Sequence, residues 1–209
     1  MPDTLAACDP LAPVIRALAR PGRPSSDYDL ARGITLPAGR LLRAAGVLVA
    51  FQQGPRGPEV VLTKRSSRLK HHPGQIAFPG GKVDPGDADP IAAALREAEE
   101  EVGLDRRNVE VLGTMPAHET VTGFVVTPVL ARIRGPFAPV PEAGEVDEVF
   151  TVPLSHVANP SRYRIEQRQW LGVPRPYWVA PYGPYYIWGA TARMLKALAD
   201  RMAEDADHG

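Results

Sequence analysis

Between Asp89 and Gly103 the chain reads DPIAAALREAEEEVG, a helix written with both of its ends. Asp89 suits the N-cap, Pro90 the first helical position, and Gly103 the left-handed residue that stops the helix. At about 100° per residue, Ile91, Ala94, Leu95, Ala98 and Val102 form one apolar face. Glu97, Glu100 and Glu101 share the adjoining arc, because residues three and four apart lie over one another, and Glu99 points away. Like charges at that spacing repel by roughly 0.2–0.5 kcal/mol per pair. Either water solvates this acidic edge or a cation neutralises it, and on spacing alone both readings stay open.

The segments around this helix are mostly strands. RAAGVLVAF and EVVLTKRS read as two strands joined by hairpin chemistry in QQGPRGP. QIAFPGGKVDPGD begins as a short strand and ends in a Gly/Pro/Asp loop. NVEVLGTM, GFVVTPVLARI and EVFTVPL are further strands, SHVAN starts a turn of helix, and RYRIEQRQWL with PYWVAP reads as a hairpin. IWGATARMLKALADRMAE is a terminal helix. PLAPVIRALAR carries weak helical periodicity, and the stretch after it reads as an irregular linker. Two good helices among mixed strands predict an α/β sandwich rather than a doubly wound sheet. The expected division is an N-terminal extension, 1–40, and one domain, 41–204.

The 209 residues suffice for one sizeable core, and 44% hydrophobic with 23% charged residues is an ordinary globular balance. The formal net charge is zero, so the basic field that non-specific nucleic-acid binding needs is missing. No apolar run approaches the ~20 residues of a spanning helix, and the N-terminus reads unlike a signal peptide. The single cysteine, Cys8, excludes an intramolecular disulfide and fits a reducing compartment. A cytoplasmic protein with neither membrane nor nucleic-acid partner is expected.

Hard divalent cations take oxygen ligands, and Mg²⁺ commonly uses one or two carboxylates together with substrate phosphate. Just before the helix, FPGGKVDPGD supplies Gly80 and Gly81, which permit close backbone approach and a freed carbonyl. Together these residues resemble the Nudix box, G-x5-E-x7-R-E-U-x-E-E-x-G-U with U aliphatic. Gly81 begins the match, and Arg96, Glu97, Ala98, Glu100, Glu101, Gly103 and Leu104 complete it. Asp87 stands at the first acidic position, with one extra residue before Arg96. The resemblance implies a Nudix-type α/β/α sandwich with a mixed central sheet. It also implies hydrolysis of a diphosphate with Mg²⁺ or Mn²⁺ held by Glu97, Glu100 and Glu101, with the Gly81 carbonyl as a further ligand. Arg96 would pair with a box carboxylate and hold it in place.

The preceding LTKRSSRLKHHPGQIAFPGG is similar to the motif of the coenzyme A pyrophosphatase branch. Leu62, Thr63, Arg65, Ser66, Gly74, Phe78, Pro79, Gly80 and Gly81 match it, with Lys70 in place of an arginine. That branch implies cleavage of coenzyme A to adenosine 3′,5′-bisphosphate and 4′-phosphopantetheine. Arg65, Arg68, Lys70 and His72 are then the candidates to hold its phosphates. Glu145, where a Pro-rich loop enters a strand, is the candidate base or extra ligand, ahead of Glu119. The aromatics Phe124, Tyr163, Trp170, Tyr177, Trp178, Tyr185, Tyr186 and Trp188 could stack adenine, although most such rings are core. Two other readings stand beside this one: a Nudix hydrolase of ADP-ribose or a dinucleotide, and a catalytically inactive Nudix-fold binding module. Homodimerisation is left open.

Overall fold

The computed structural model describes residues 9–31, 39–170 and 173–206. Cys8 and the side chain of Trp170 lie outside what is described. The elements in chain order are α1 (Ala12–Ala19), β1 (Ser25–Ser26), β2 (Arg43–Gly54), β3 (Gly57–Arg65), β4 (Ile76–Ala77), β5 (Gly80–Lys82) and α2 (Pro90–Val102). They continue with β6 (Val109–Thr114), β7 (His118–Glu119), β8 (Phe124–Ile133), β9 (Val146–Pro153), α3 (Leu154–Val157), β10 (Arg164–Trp170), β11 (Val173–Val179) and α4 (Gly189–Ala206).

The apolar run of β2 explains its central place, since a strand buried on both faces needs no alternation. It runs parallel to β8 along most of its length, while its first half pairs antiparallel with β5 and its second half with β3. Among the described residues the sheet runs β1-β7-β8-β2-β3-β4, with β6 also on β8 and β9 also on β3. The β2–β8 and β1–β7 pairs are parallel and the others antiparallel, which is the mixed sheet expected. A separate antiparallel hairpin, β10–β11, confirms the reading of residues 164–179.

Period-two geometry sends successive β2 side chains to opposite layers. Leu48 and Ala50 pack with Val61, Val129 and Ala131 against Ala94, Ala98 and Val102 of α2. Val49 and Phe51 pack with Val60, Leu62 and Leu130 against Leu11, Val14 and Ala17 around α1, and Leu195 and Leu198 of α4. The result is helix, sheet, helix.

Two contacts hold these helices at their stations. The Asp89 carboxylate accepts from the Ala92 N–H at 2.8 Å, and Gly103 closes α2 at φ 71°. At the C-terminus of α1, the buried Arg201 guanidinium donates to the carbonyls of Ala17, at 2.9 Å, and of Leu18 and Arg20. It therefore satisfies carbonyls that a helix end leaves orphaned. Where the sequence reads as an irregular linker, Ser25–Ser26 pairs parallel with His118–Glu119. A two-residue strand carries no periodicity to read, so its partner has to be found in space.

Candidate active site

Residues i and i+4 on a helix differ by about 40° in one direction, and i and i+3 by about 60° in the other. Glu97 and Glu101 therefore lean together, toward the sheet, and Glu100 leans away. Glu145, at the entrance to β9, comes in from across the sheet, and one carboxylate oxygen from each of Glu97, Glu101 and Glu145 lies within 4.8 Å of the others. Glu101 is 4% exposed, with Oε2 accepting from the Gly80 N–H at 3.0 Å and Oε1 3.7 Å from Arg65 Nη1. Burial pushes its carboxyl up to about 7, against the pull of Gly80 and Arg65, and Glu97 and Glu145 add to the rise. Burial also raises Glu97, with Arg96 opposing it.

The glycine loop has to pass close to these groups. Gly80 lies at φ 151°, where a Cβ would meet the Gly46 carbonyl oxygen at 2.4 Å. A Cβ on Gly81 would meet Glu97 Oε1 at 2.4 Å. Gly46, which pairs with Gly81, would drive a Cβ to 1.9 Å from the Pro90 carbonyl oxygen. Three glycines thus let β2, β5 and α2 meet without side chains between them.

Arg96 is the hub of the loop-to-helix join. It donates through Nε and Nη2 to Asp87, at 3.0 and 2.9 Å, through Nη1 to Glu97 and Glu100, each at 3.0 Å, and to the Lys82 carbonyl at 3.3 Å. Its bond to Asp87 raises its own pKa, and Asp87 is held below the ordinary carboxylate range by the same bond. Glu100, 59% exposed, is occupied by this arginine and lies outside the converging trio. The extra residue between Asp87 and Arg96 is accommodated, because the two side chains still meet.

Beside the trio opens a cavity of about 240 Å³. Arg65 and Gly80 line it and also touch Glu101, so cavity and acidic edge are continuous. His72, at φ 56°, lines it too, and packing with Arg65 beside it lowers the imidazole below its usual range. Of the other basic candidates, Arg68 is exposed and donates to the Ala143 carbonyl, and Lys70 is exposed; neither lines the cavity. Glu119 is paired with Arg40. Tyr177, Trp178 and Trp188 line the cavity, whereas Tyr163 is buried with its hydroxyl on the Val157 carbonyl and Tyr185 stacks on Phe150. Sequence reasoning passed over Asp27, Arg168, Arg175 and Arg193, which all line it. The one signal for Arg168 was its place in the first arm of the expected hairpin; Arg175 falls just before the second arm as read, PYWVAP, and β11 takes it in.

The NUDIX domain profile matches residues 40–172. The chain belongs to the Nudix family. It is 43% identical over 157 residues to the uncharacterized Nudix hydrolase NudL of Enterobacter sp. (strain 638), an alignment covering 75% of this chain and 81% of that protein. To NudL of Escherichia coli (strain K12) it is 42% identical, with the same coverage. A MutT/nudix family protein from Enterococcus faecalis superposes at a TM-score of 0.52 and 17% identity, over 84% of this chain and 67% of that one. The MutT protein from Methanosarcina mazei Go1 gives 0.50 and 18%, over 81% and 99%. At such identities the likeness is one of fold, and that fold is the Nudix sandwich.

The protein is accordingly a Nudix hydrolase, a family that acts on diphosphate bonds. Nudix hydrolases generally use Mg²⁺ or Mn²⁺, and the residues here fit such an ion. Three carboxylates converge, and the one that is buried is pushed toward neutrality because the Arg65 cation nearby does not offset its desolvation.

Proposed function

We propose that this Nudix hydrolase cleaves the diphosphate bond of coenzyme A and its derivatives, in the cytoplasm, to adenosine 3′,5′-bisphosphate and 4′-phosphopantetheine. The observation that carries this reading is the continuity of the acidic trio with an arginine-lined cavity through Arg65 and Gly80, both within the motif of residues 62–81. In the proposal Glu97 and Glu101, with the Gly81 carbonyl, hold the divalent ion, and Glu100, expected as a further ligand, stays on Arg96. When bound, that ion shields phosphate charge and lowers the pKa of water.

The chain's own groups do the rest. Arg65 and His72 hold phosphate oxygens at the cavity mouth, while Arg68 and Lys70 meet the anion as it approaches. Arg96 keeps Glu97 in place through its fork to Asp87. A water oxygen bonds to one phosphorus of the diphosphate, and the bond from that phosphorus to the bridging oxygen breaks. Glu145, the exposed member of the trio, takes the proton of the water; a role as extra ligand is its alternative.

Turnover of coenzyme A with Mg²⁺ or Mn²⁺, with product identification, tests the reading. The two named products are expected, and Glu101→Gln should lower the rate at least ~100-fold with the fold retained. Faster turnover of ADP-ribose or a dinucleotide would move the substrate assignment. No turnover of any diphosphate would make the protein a binding module.

A further inference from the structure

Period two continued back from β9 would put Glu145 and Asp147 on one face. The strand does not keep that period. Lys64 pairs with Glu148 and Arg65 with Val146, so Asp147 is an extra residue, a β-bulge at the end of the strand that Glu145 enters. A bulge re-aims side chains and is a common neighbour of active sites. Here the two carboxylates take different partners. One oxygen of Glu145 joins those of Glu97 and Glu101, whereas Asp147 Oδ2 accepts from the Ser67 N–H at 2.9 Å.

The chain leading to the bulge is fastened on both flanks. On one, the Val140 and Glu142 N–H groups donate to the carbonyls of Val102 and Glu101, each at 2.9 Å, groups that a helix end leaves orphaned. On the other, the buried Ser66 donates its N–H to the Glu145 carbonyl at 2.8 Å, and the Arg68 guanidinium donates to the carbonyl of Ala143. Ser66 and Ser67 directly follow Arg65, which reaches Glu101. Within the turn, the Glu142 carboxylate accepts from the Gly144 N–H at 2.8 Å. No hydrogen bond or ion pair among the described residues holds the Glu145 carboxylate, so its aim is set by the backbone that carries it. Main-chain bonds place that backbone between α2 and β3, and the Asp147 carboxylate ties the bulge itself to the turn after β3.

We propose that Asp147 is the positioning residue for Glu145: by pinning the bulge to the Ser67 N–H, it holds the Glu145 carboxylate among those of Glu97 and Glu101. This rests on the place given to Glu145 in the proposed function, as base or as extra ligand. Which diphosphate is cleaved does not enter it.

The test is a double-variant cycle on the full chain, with Asp147→Ala, Glu145→Gln and the two together. Turnover is measured with coenzyme A and Mg²⁺, or with ADP-ribose should only that be cleaved, and Mn²⁺ affinity by calorimetric titration without substrate. Asp147→Ala should lower kcat at least ~5-fold with KM little changed if Glu145 is the base, or weaken Mn²⁺ binding by a similar factor if it is a ligand. In the Glu145→Gln background the same substitution should cost less than ~2-fold in either readout, because no carboxylate is left to aim. Asp147→Asn should retain most of the function, since its amide oxygen still accepts from the Ser67 N–H. Amide exchange of the metal-free variants should show α2 as protected as in the unmodified protein, with faster exchange at Ser67 in Asp147→Ala. Losses that multiply in the double variant would overturn the positioning role, as would an Asp147→Ala protein that matches the unmodified one in turnover and Mn²⁺ affinity. Cleavage of ADP-ribose alone, with the coupling intact, would overturn the coenzyme A reading and leave the role of Asp147 standing.

Discussion

The proposed chemistry turns on the carboxyl of Glu101. Its pKa in the folded chain, about 7, lies above the ordinary 4.5. Between those values the folded chain holds a proton that the unfolded chain has released, so stability falls as pH rises through that window. The loss can reach ~3 kcal/mol in the metal-free protein. A divalent ion reverses the balance, because it needs the deprotonated group. Mg²⁺ should therefore raise the melting temperature more at pH 8 than at pH 6, and Glu101→Gln should flatten that difference in a thermal-shift measurement. An equal shift at both pH values would remove Glu101 from the ion site. Gly81→Ala probes the same spot sterically. Its Cβ would sit 2.4 Å from Glu97 Oε1, and the side chain has to move because β5 is paired to β2. Activity should fall roughly 10–100-fold through misplacement, while a denaturant melt shifts by about 1 kcal/mol or less.

The elements that carry these groups are secured at their ends. α2 starts on the Asp89 carboxylate and stops at Gly103, so its register against β5 is set by its caps as well as by its apolar face. Asp89→Ala should cost about 1 kcal/mol of stability by chemical denaturation, the usual value of an N-cap. The acidic edge was legible from the wheel, but the partition among its glutamates was not. Glu100 differs from Glu101 by about 100° around the axis, and Arg96 claims it. Helical spacing places three carboxylates on an arc; it does not say which two face the strand that brings Glu145.

At the scale of the fold, residues 9–31 matter through contacts made late in the chain. Arg201 in α4 donates to the last carbonyls of α1, and the chain leaving α1 supplies Ser26, Asp27 and Leu30 to the cavity wall. Arg201→Leu should take the guanidinium donor away from the Ala17, Leu18 and Arg20 carbonyls, leaving Ala17 only the Arg20 N–H, and cost ~2 kcal/mol, read as a lower melting temperature. It should also weaken substrate binding, measured as a raised KM, because the wall that carries Asp27 loses its anchor. An unchanged KM with lowered stability would confine Arg201 to a structural role.

The helix, its caps, the glycine loop and the strands beside them could be read directly, because each is encoded within a few neighbouring residues by periodicity, capping and backbone freedom. So could the family pattern that joins them. The cationic face of the hairpin, the bonds of His118 to Ser25 and Asp27 and the meeting of Glu145 with α2 were settled only when the chain closed on itself. Ser25 and His118 are 93 residues apart, and Arg168 meets Arg175 through strand register. Local physics writes elements into a sequence, whereas a site assembled from several of them depends on burial and register that no short stretch contains.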